Sequence, residues 1–478
     1  MNRTFVALGV FVFAAIGRGQ TGTAFEGIWV GEVIAPNATA VIGFAFTRGP
    51  TGLIAKFAMP AMFVSGLNLG PAKIMGETYE MPELGIRLTH AGDALIGTFA
   101  NPLLRVKLQR GSALAAVPDQ AAAPPAPVST WSRALGAQVW ASPVARSGFV
   151  YLGDVAGNFH AVRANDGAEE WTWSGRVPLF GEALATDDAV YFLDEQCALV
   201  CLGRTDGHLK WRIALSEHAP AAALAPANPT FNHRTAVPVI AAGTLYVGSV
   251  DGTIFAVEAA TGKLLWRQAA GAPIYSAVAI DGDELVAGCY DGTVLKVNRH
   301  TREVTARARL GGAIASAPVV AGGTIVVGCR DYLLYGLKRA NLAVSWRDSF
   351  WFSWIESTPK LVDGAIYIGG SDYRRVSKID PDSGVTDWTT DVGGLTWGTP
   401  VVTPDTIFAG TSAQSPAAIK HTGGITALDR HTGKVMWRHV VTLAEGADRA
   451  GYLGSLVLCG GQIIGAGYDG RLIAFPAR

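Results

Sequence analysis

One pattern of about 40 residues recurs from Thr130 to the end of this 478-residue chain, and it limits the fold more than any other feature. Its clearest copy runs from Pro238 to Trp266, PVIAAGTLYVGSVDGTIFAVEAATGKLLW. Two alternating apolar runs flank Asp251-Gly252, a Thr261-Gly262 pair follows, and a third run closes on Trp266. Alternating runs joined by Asp-Gly predict strands in a tight hairpin, because glycine accepts the positive φ that such turns need. Copies end at Trp171, Trp211, Trp266, Ala306, Trp346, Trp388 and Trp437. Forty residues separate Trp171 from Trp211, Trp266 from Ala306, and Ala306 from Trp346. A constant period built only of strands is the mark of propeller blades rather than of a helical solenoid.

After Trp437 come three more strand-like runs, GSLVLCG, QIIGAGYDG and RLIAFPAR, with no closing Trp run. The missing outer strand is available at Thr130–Leu135, TWSRAL. A ring closed by one strand from its other end removes exposed sheet edges. The expectation is therefore an all-β chain whose residues 130–478 form an eight-bladed propeller of four-stranded blades.

The rest of the chain reads differently. Met1-Asn2-Arg3 precedes a 13-residue apolar run, Thr4 to Ile16, which is closed by Arg18 and followed by small residues. A spanning helix needs ~20 apolar residues, so residues 1–24 read as a cleaved export signal and the mature chain as periplasmic or extracellular. No other apolar run reaches spanning length. Residues 25–110 lack the repeat but carry short alternating runs (GIWVG, VIGFAFT, GLIAKFA, GIRLTH, ALIGTFA, LLRVKLQR). They predict a small β domain of about six strands, a barrel or curved sheet. Residues 111–129 are rich in Ala and Pro and read as a linker.

Charge and cysteine usage narrow the function. Lys+Arg and Asp+Glu are both 39, with no basic cluster, which argues against nucleic acid as a partner. Five cysteines (Cys197, Cys201, Cys289, Cys329 and Cys459) are an odd number without a C-x-x-C pair, and read as free buried thiols rather than a disulfide framework or a metal site. Cys201 stands where a sister repeat has Ala. The chain contains no phosphate-binding Gly-rich loop, no H-E-x-x-H, no EF-hand spacing, no nucleophile elbow and no haem-attachment motif. No catalytic residue and no metal ligand is assigned.

The repeat alignment does single out one set of positions. The residue just before each innermost strand should face the mouth of the central channel. These are Trp140, Phe180, Thr235, Tyr275, Ala315, Glu356, Trp397 and Leu453, with Arg234, Ile355 and Tyr452 as immediate neighbours. Four of the eight are aromatic and Glu356 is the one charge, so the mouth could hold a flat ligand or the side chains of a partner, or could simply be filled by its aromatics. The run Phe350-Trp351-Phe352-Ser353-Trp354 is expected to add aromatic surface nearby.

The units AVEAATGKLLW (Ala256 to Trp266) and ALDRHTGKVMW (Ala427 to Trp437) resemble the repeat of the quinoprotein-type, PQQ-like β-propellers, a family with WD40-like architecture. The family includes PQQ-dependent alcohol dehydrogenases and a non-enzymatic periplasmic propeller that assists outer-membrane protein assembly. The resemblance implies that Trp171, Trp211, Trp266, Trp346, Trp388 and Trp437 dock between neighbouring blades, and that Ala306 leaves a weaker contact. In the dehydrogenase branch calcium is held by a Glu, an Asn and the cofactor, beside an Asp base and a disulfide of adjacent cysteines. This sequence has no adjacent cysteines, and Glu356, Glu182 and Asn232 stand in no matching motif. The reading favoured is an exported non-enzymatic scaffold that binds an envelope or secreted protein through a propeller face, with no cofactor. The alternative is a PQQ- and calcium-dependent oxidoreductase.

Overall fold

The computed structural model describes residues 24–36, 38–50, 52–71, 73–82, 85–99, 101–117, 122–216, 235–351, 353–414 and 421–477. The export signal read over residues 1–24 lies, except for Ala24, outside the described residues, as do Asn232 and Arg234. The chain divides into two compact units: residues 1–121 with 347–352 and 414–421, and residues 122–346 with 353–413 and 422–478. Among the described residues no helix is long and apolar enough to cross a membrane.

The first unit is a curled antiparallel sheet of nine strands: β1 (Gly27–Ile34), β2 (Thr39–Gly49), β3 (Gly52–Met59), β4 (Val64–Pro71), β5 (Lys73–Met75), β6 (Thr78–Met81), β7 (Ile86–Ala91), β8 (Ala94–Phe99) and β9 (Asn101–Gly111). Strand β1 pairs with both β2 and β9, giving the order β4-β3-β2-β1-β9-β8-β7-β6-β5. Period-two alternation sends Ile42, Phe44 and Phe46 of β2 to one face, all at most 1% exposed. There they meet Phe25, Phe57, Tyr79 and Phe99, with ring centroids 5.0–6.5 Å apart. The curl closes this sheet over an aromatic core. Nine strands stand where six were expected.

In the second unit, eight four-stranded blades follow one another: blade 1 (144–174), blade 2 (184–214), blade 3 (239–269), blade 4 (279–309), blade 5 (319–349), blade 6 (360–391), blade 7 (401–441), to whose sheet the short strand Arg449–Gly451 adds by pairing with Thr406–Gln414, and blade 8 (457–476). The ring closes as the sequence predicts: β10 (Trp131–Ala134) pairs antiparallel with the last strand, Arg471–Pro476. The two middle strands of a blade are buried on both faces, as in Ala189–Leu193 and Ala198–Gly203, so they read as continuous apolar runs. Outer strands such as Leu209–Ala214 alternate between half-buried and exposed. Part of the Ala/Pro stretch is ordered onto the propeller. Pro125 bridges Arg438 in parallel, and the Ala126 N–H donates to the Arg438 carbonyl at 2.9 Å, so this segment covers the edge of blade 7.

The recurring Trp docks blade onto blade. Trp131, Trp171, Trp211 and Trp346 donate their indole N–H to Ala164, Arg204, Ala259 and Pro381, at 2.9–3.1 Å. Each acceptor lies in the Thr-Gly-type turn of the next blade. The glycine three residues on (Gly167, Gly207, Gly262, Gly384) has a φ of +67° to +75°, and a Cβ there would stand 2.5–2.7 Å from the ring. Glycine is thus needed both for its backbone and for room. Opposite Trp211 sits Cys201, where blades 1, 3 and 7 have Ala, and all five cysteines are free and buried.

The seam between blades 4 and 5 departs from this rule, and other residues stand in for the missing Trp. Ala306 faces Lys296 across the strand pair. The Lys296 ammonium donates to the Arg339 carbonyl at 2.9 Å and pairs with Glu284. Arg339 is the residue that precedes the turn position by three, so lysine makes the hydrogen bond that indole makes elsewhere. Leu342 takes the glycine position at φ +62° and is 1% exposed, packing in the same apolar cluster as Ala306. Its side chain occupies the volume the indole gave up.

Candidate functional site

All eight positions predicted for the mouth line a single cavity of about 800 Å³ on the propeller axis. Period-two geometry builds it in tiers. Below the first tier lie the residues two further on, Ser142, Glu182, Val237, Ala277, Ala317, Thr358, Thr399 and Ser455, and below them Val144, Val319, Lys360, Val401 and Val457. The second tier is stitched round the ring by hydrogen bonds between blades. Ala317 N–H donates to Thr358 Oγ1 (3.1 Å), Thr399 N–H to Ser455 Oγ (2.9 Å), and Ser455 N–H to Ser142 Oγ (2.9 Å). Bonds that span blade boundaries hold the lumen to a fixed shape.

Two aromatic clusters frame the first tier. Trp140 lies 5.5 Å from Phe180 and 5.9 Å from Tyr468, and the Arg449 guanidinium sits over the Trp140 ring at 4.7 Å. Across the ring, Tyr275 meets Tyr290 edge-on at 5.0 Å. Arg330 lies over Trp354 at 4.4 Å and over Tyr290 at 5.1 Å, and donates to the Tyr290 hydroxyl. Stacked cations of this kind stiffen a surface that isolated aromatics would leave mobile.

The charges fall differently from the sequence expectation. Glu356 belongs to the first tier but is 0% exposed, and its carboxylate is held by Arg330. Burial works against charge on Arg330, and the Glu356 carboxylate beside it more than compensates, so the guanidinium is held above its ordinary value. Glu356 is thus wall, not lumen. The charges that face the lumen are Glu182 and Lys360. Glu182 is enclosed by the channel wall, which pushes its carboxyl up to about 7 against the opposing pull of Lys360. Asp372, in the loop between the second and third strands of blade 6, is likewise pushed up to about 6 by desolvation. The aromatic run near Trp351 is not surface either: Phe350, Trp351 and Trp354 are 1%, 4% and 8% exposed. Phe352 lies outside the described residues.

Arg449, Tyr468 and Lys360 were missed by sequence reasoning. A signal existed for Lys360: in the repeat its position is Val in blades 1, 3, 5, 7 and 8, so a lysine there breaks the column. Arg234, named with the mouth, cannot be placed because it lies outside the described residues.

Residues 121–236, 222–305 and 291–478 match the family model described as outer membrane protein assembly factor BamB, a family of PQQ-like propeller repeats. The chain belongs to this family. Among solved structures, the PQQ-like propeller is similar to BamB from Moraxella catarrhalis at 14% identity, over 74% of this chain and 95% of that one, with a TM-score of 0.51. It is similar to the quinohemoprotein alcohol dehydrogenase ADHIIG from Pseudomonas putida HK5 at 13% identity, over 73% and 76%, with a TM-score of 0.55. The computationally designed Ika8 protein aligns at 15% identity over 73% and 99%, with a TM-score of 0.58. No curated protein matches the chain. At these identities the solved structures show the propeller fold and nothing finer. The family match begins at residue 121, so the nine-stranded sheet lies before it.

Proposed function

We propose that this PQQ-like propeller is an exported, non-enzymatic scaffold that docks an envelope or secreted polypeptide through the face carrying the channel mouth. The observation that carries the reading is the mouth itself: eight residues, one from each blade and only tryptophan used twice, around one open cavity. Its walls are braced by Arg330 and Arg449 and by hydrogen bonds between blades. A rigid aromatic concavity recognises side chains at low entropic cost. The export signal read at the amino end and the family's description as an assembly factor of the outer membrane support a location outside the cytoplasm.

The second reading, a PQQ- and calcium-dependent oxidoreductase, draws on the likeness to a quinohemoprotein dehydrogenase. The residues at hand do not fit that cofactor pair. Among the described residues no three His, Cys, Asp or Glu side chains converge on one point. Glu356 is taken by Arg330, and the carboxylate that does reach the lumen faces a lysine. We derive no catalytic step through the group.

Photocrosslinking tests the docking face. Benzoylphenylalanine in place of Phe180 should yield an ultraviolet-dependent adduct in cells, and Trp397→Ala should abolish it. The same probe at Val385, which is 60% exposed beside a turn at the other end of the blades, should yield none. An adduct at both positions, or at neither, rejects the mouth as the docking face. Addition of PQQ and calcium giving a bound-cofactor absorption band and dye reduction would establish the second reading instead.

A further inference from the structure

The lumen of the propeller is almost entirely apolar or lined by small hydroxyls, and Glu182 and Lys360 are its two charged exceptions below the mouth ring. Glu182 stands two residues below its blade's mouth residue, Phe180, and Lys360 four below Glu356. Their blades, 2 and 6, are four apart in a ring of eight and so face each other across the axis. Among the described residues neither side chain closes an ion pair or a hydrogen bond, although each lines the same cavity. Two hydroxyls on the intervening wall, Thr235 Oγ1 and Ser276 Oγ, are buried without a partner. Lys360 is exposed to the lumen, whereas Glu182 is desolvated and the two hydroxyls are buried. A desolvated charge and buried polar atoms left without partners cost free energy, and a ligand carrying the complementary groups would recover it.

The two charges also differ in depth. Lys360 lies one tier deeper, which is two residues of strand or about 6–7 Å. Two residues of an extended peptide cover the same length. We infer that the mouth receives the carboxyl-terminal tail of a partner polypeptide, its terminal carboxylate against Lys360, a basic side chain about two residues earlier against Glu182, and apolar or aromatic residues within the ring of Trp140, Phe180, Tyr275 and Trp397. This rests on the docking-face reading above and specifies what docks. A chain end enters such a lumen without having to turn and leave again, and it brings its negative charge past Glu182 to the deeper of the two charges. An internal loop would have to reverse inside a cavity of about 800 Å³. Capture of a terminal carboxylate is an established mode of peptide recognition, here with a lysine in place of backbone amides.

The probe is a fluorescein-labelled hexapeptide, Ala-Phe-Leu-Lys-Val-Phe with a free carboxylate, titrated against the purified full chain by fluorescence anisotropy. Two analogues accompany it: the carboxyl-terminal amide, and the peptide with glutamate in place of lysine. The free acid should bind about tenfold more tightly than either analogue. Lys360→Gln should erase the difference between acid and amide, and Glu182→Gln the difference between lysine and glutamate. The paired exchange Glu182→Lys with Lys360→Glu should reverse the preference, and this keeps the test sound if a single variant unfolds. Equal binding of acid and amide overturns the tail inference while leaving the mouth as a docking face, which the Phe180 crosslink reports separately. Absence of binding by all three peptides overturns it as well.

Discussion

At the seams, blades 1, 2, 5 and 8 each send an indole N–H to the same carbonyl of the next blade, whereas at the mouth no two adjacent blades place the same residue. Both regions are columns of one repeat. The seam bond recurs at these four interfaces because each blade buries its faces only against its neighbours, and the interfaces pose a similar packing problem. The mouth column borders the open lumen on one side, so its packing differs from blade to blade, and its variety is available for recognition. The seam between blades 4 and 5 sharpens the contrast. There the column changes, but Lys296 and Leu342 restore the hydrogen bond and the volume.

The largest expected effect tests the seam column. Trp211→Ala removes a half-buried indole and its bond to Ala259 at 3.1 Å, and should destabilise the propeller by about 3–5 kcal/mol. Denaturant unfolding measures this. Trp140→Ala at the mouth, which removes a half-buried ring 5.5 Å from Phe180, should cost less while removing the crosslink from Phe180. If the two substitutions cost the same, the division between seam and mouth collapses. A smaller effect tests the compensated seam. Ala306→Trp alone forces an indole into space held by Leu342 and Lys296, and should cost about 1–3 kcal/mol. Adding Leu342→Gly and Lys296→Ala recreates the pattern of the other seams and should recover most of that loss, a coupling that a thermodynamic cycle reads directly. Additive losses would mean that the three residues do not form one unit.

What could be read from sequence follows from which contacts are periodic. The blades, their number and the closing strand were legible because each rests on local alternation, a turn signal and a fixed spacing. The mouth positions were legible because a repeat alignment carries a column from one blade to the next. The role of Glu356 was not, since it depends on Arg330, 26 residues earlier and in another blade. The substitution of Lys296 and Leu342 for an indole was hidden for the same reason: the residues meet only after blades stack. In the first unit the six strands with clear alternation were read, and β4, β5 and β6 were not. VSGLNLGP is broken by Gly, Asn and Pro, and KIM and TYEM are too short to show a period.

Glu182 supplies the smallest effect and the one that ties the mouth to stability. Its carboxyl is pushed up to about 7 by enclosure, with Lys360 the charged group facing it and pulling the other way. In the unfolded chain a glutamate titrates near ~4.3. The folded state therefore holds its proton more tightly, so the stability this group contributes is complete below about pH 4 and falls as pH rises through the window between the two values. Glu182→Gln removes that loss. The variant should match the parent at pH 4 and exceed it by about 1–2 kcal/mol at pH 8, a figure reduced from the full linkage value because water reaches part of the lumen. Lys360→Gln should move the parent in the opposite sense, steepening its decline toward pH 8, because the remaining carboxylate then ionises without an opposing charge. A seam residue shows no such trade, since Trp211 stabilises at every pH. A mouth residue that lowers the stability of its own fold at neutral pH is held for something other than packing, and a Glu182→Gln variant no more stable than the parent at pH 8 would remove that ground for assigning the lumen a ligand.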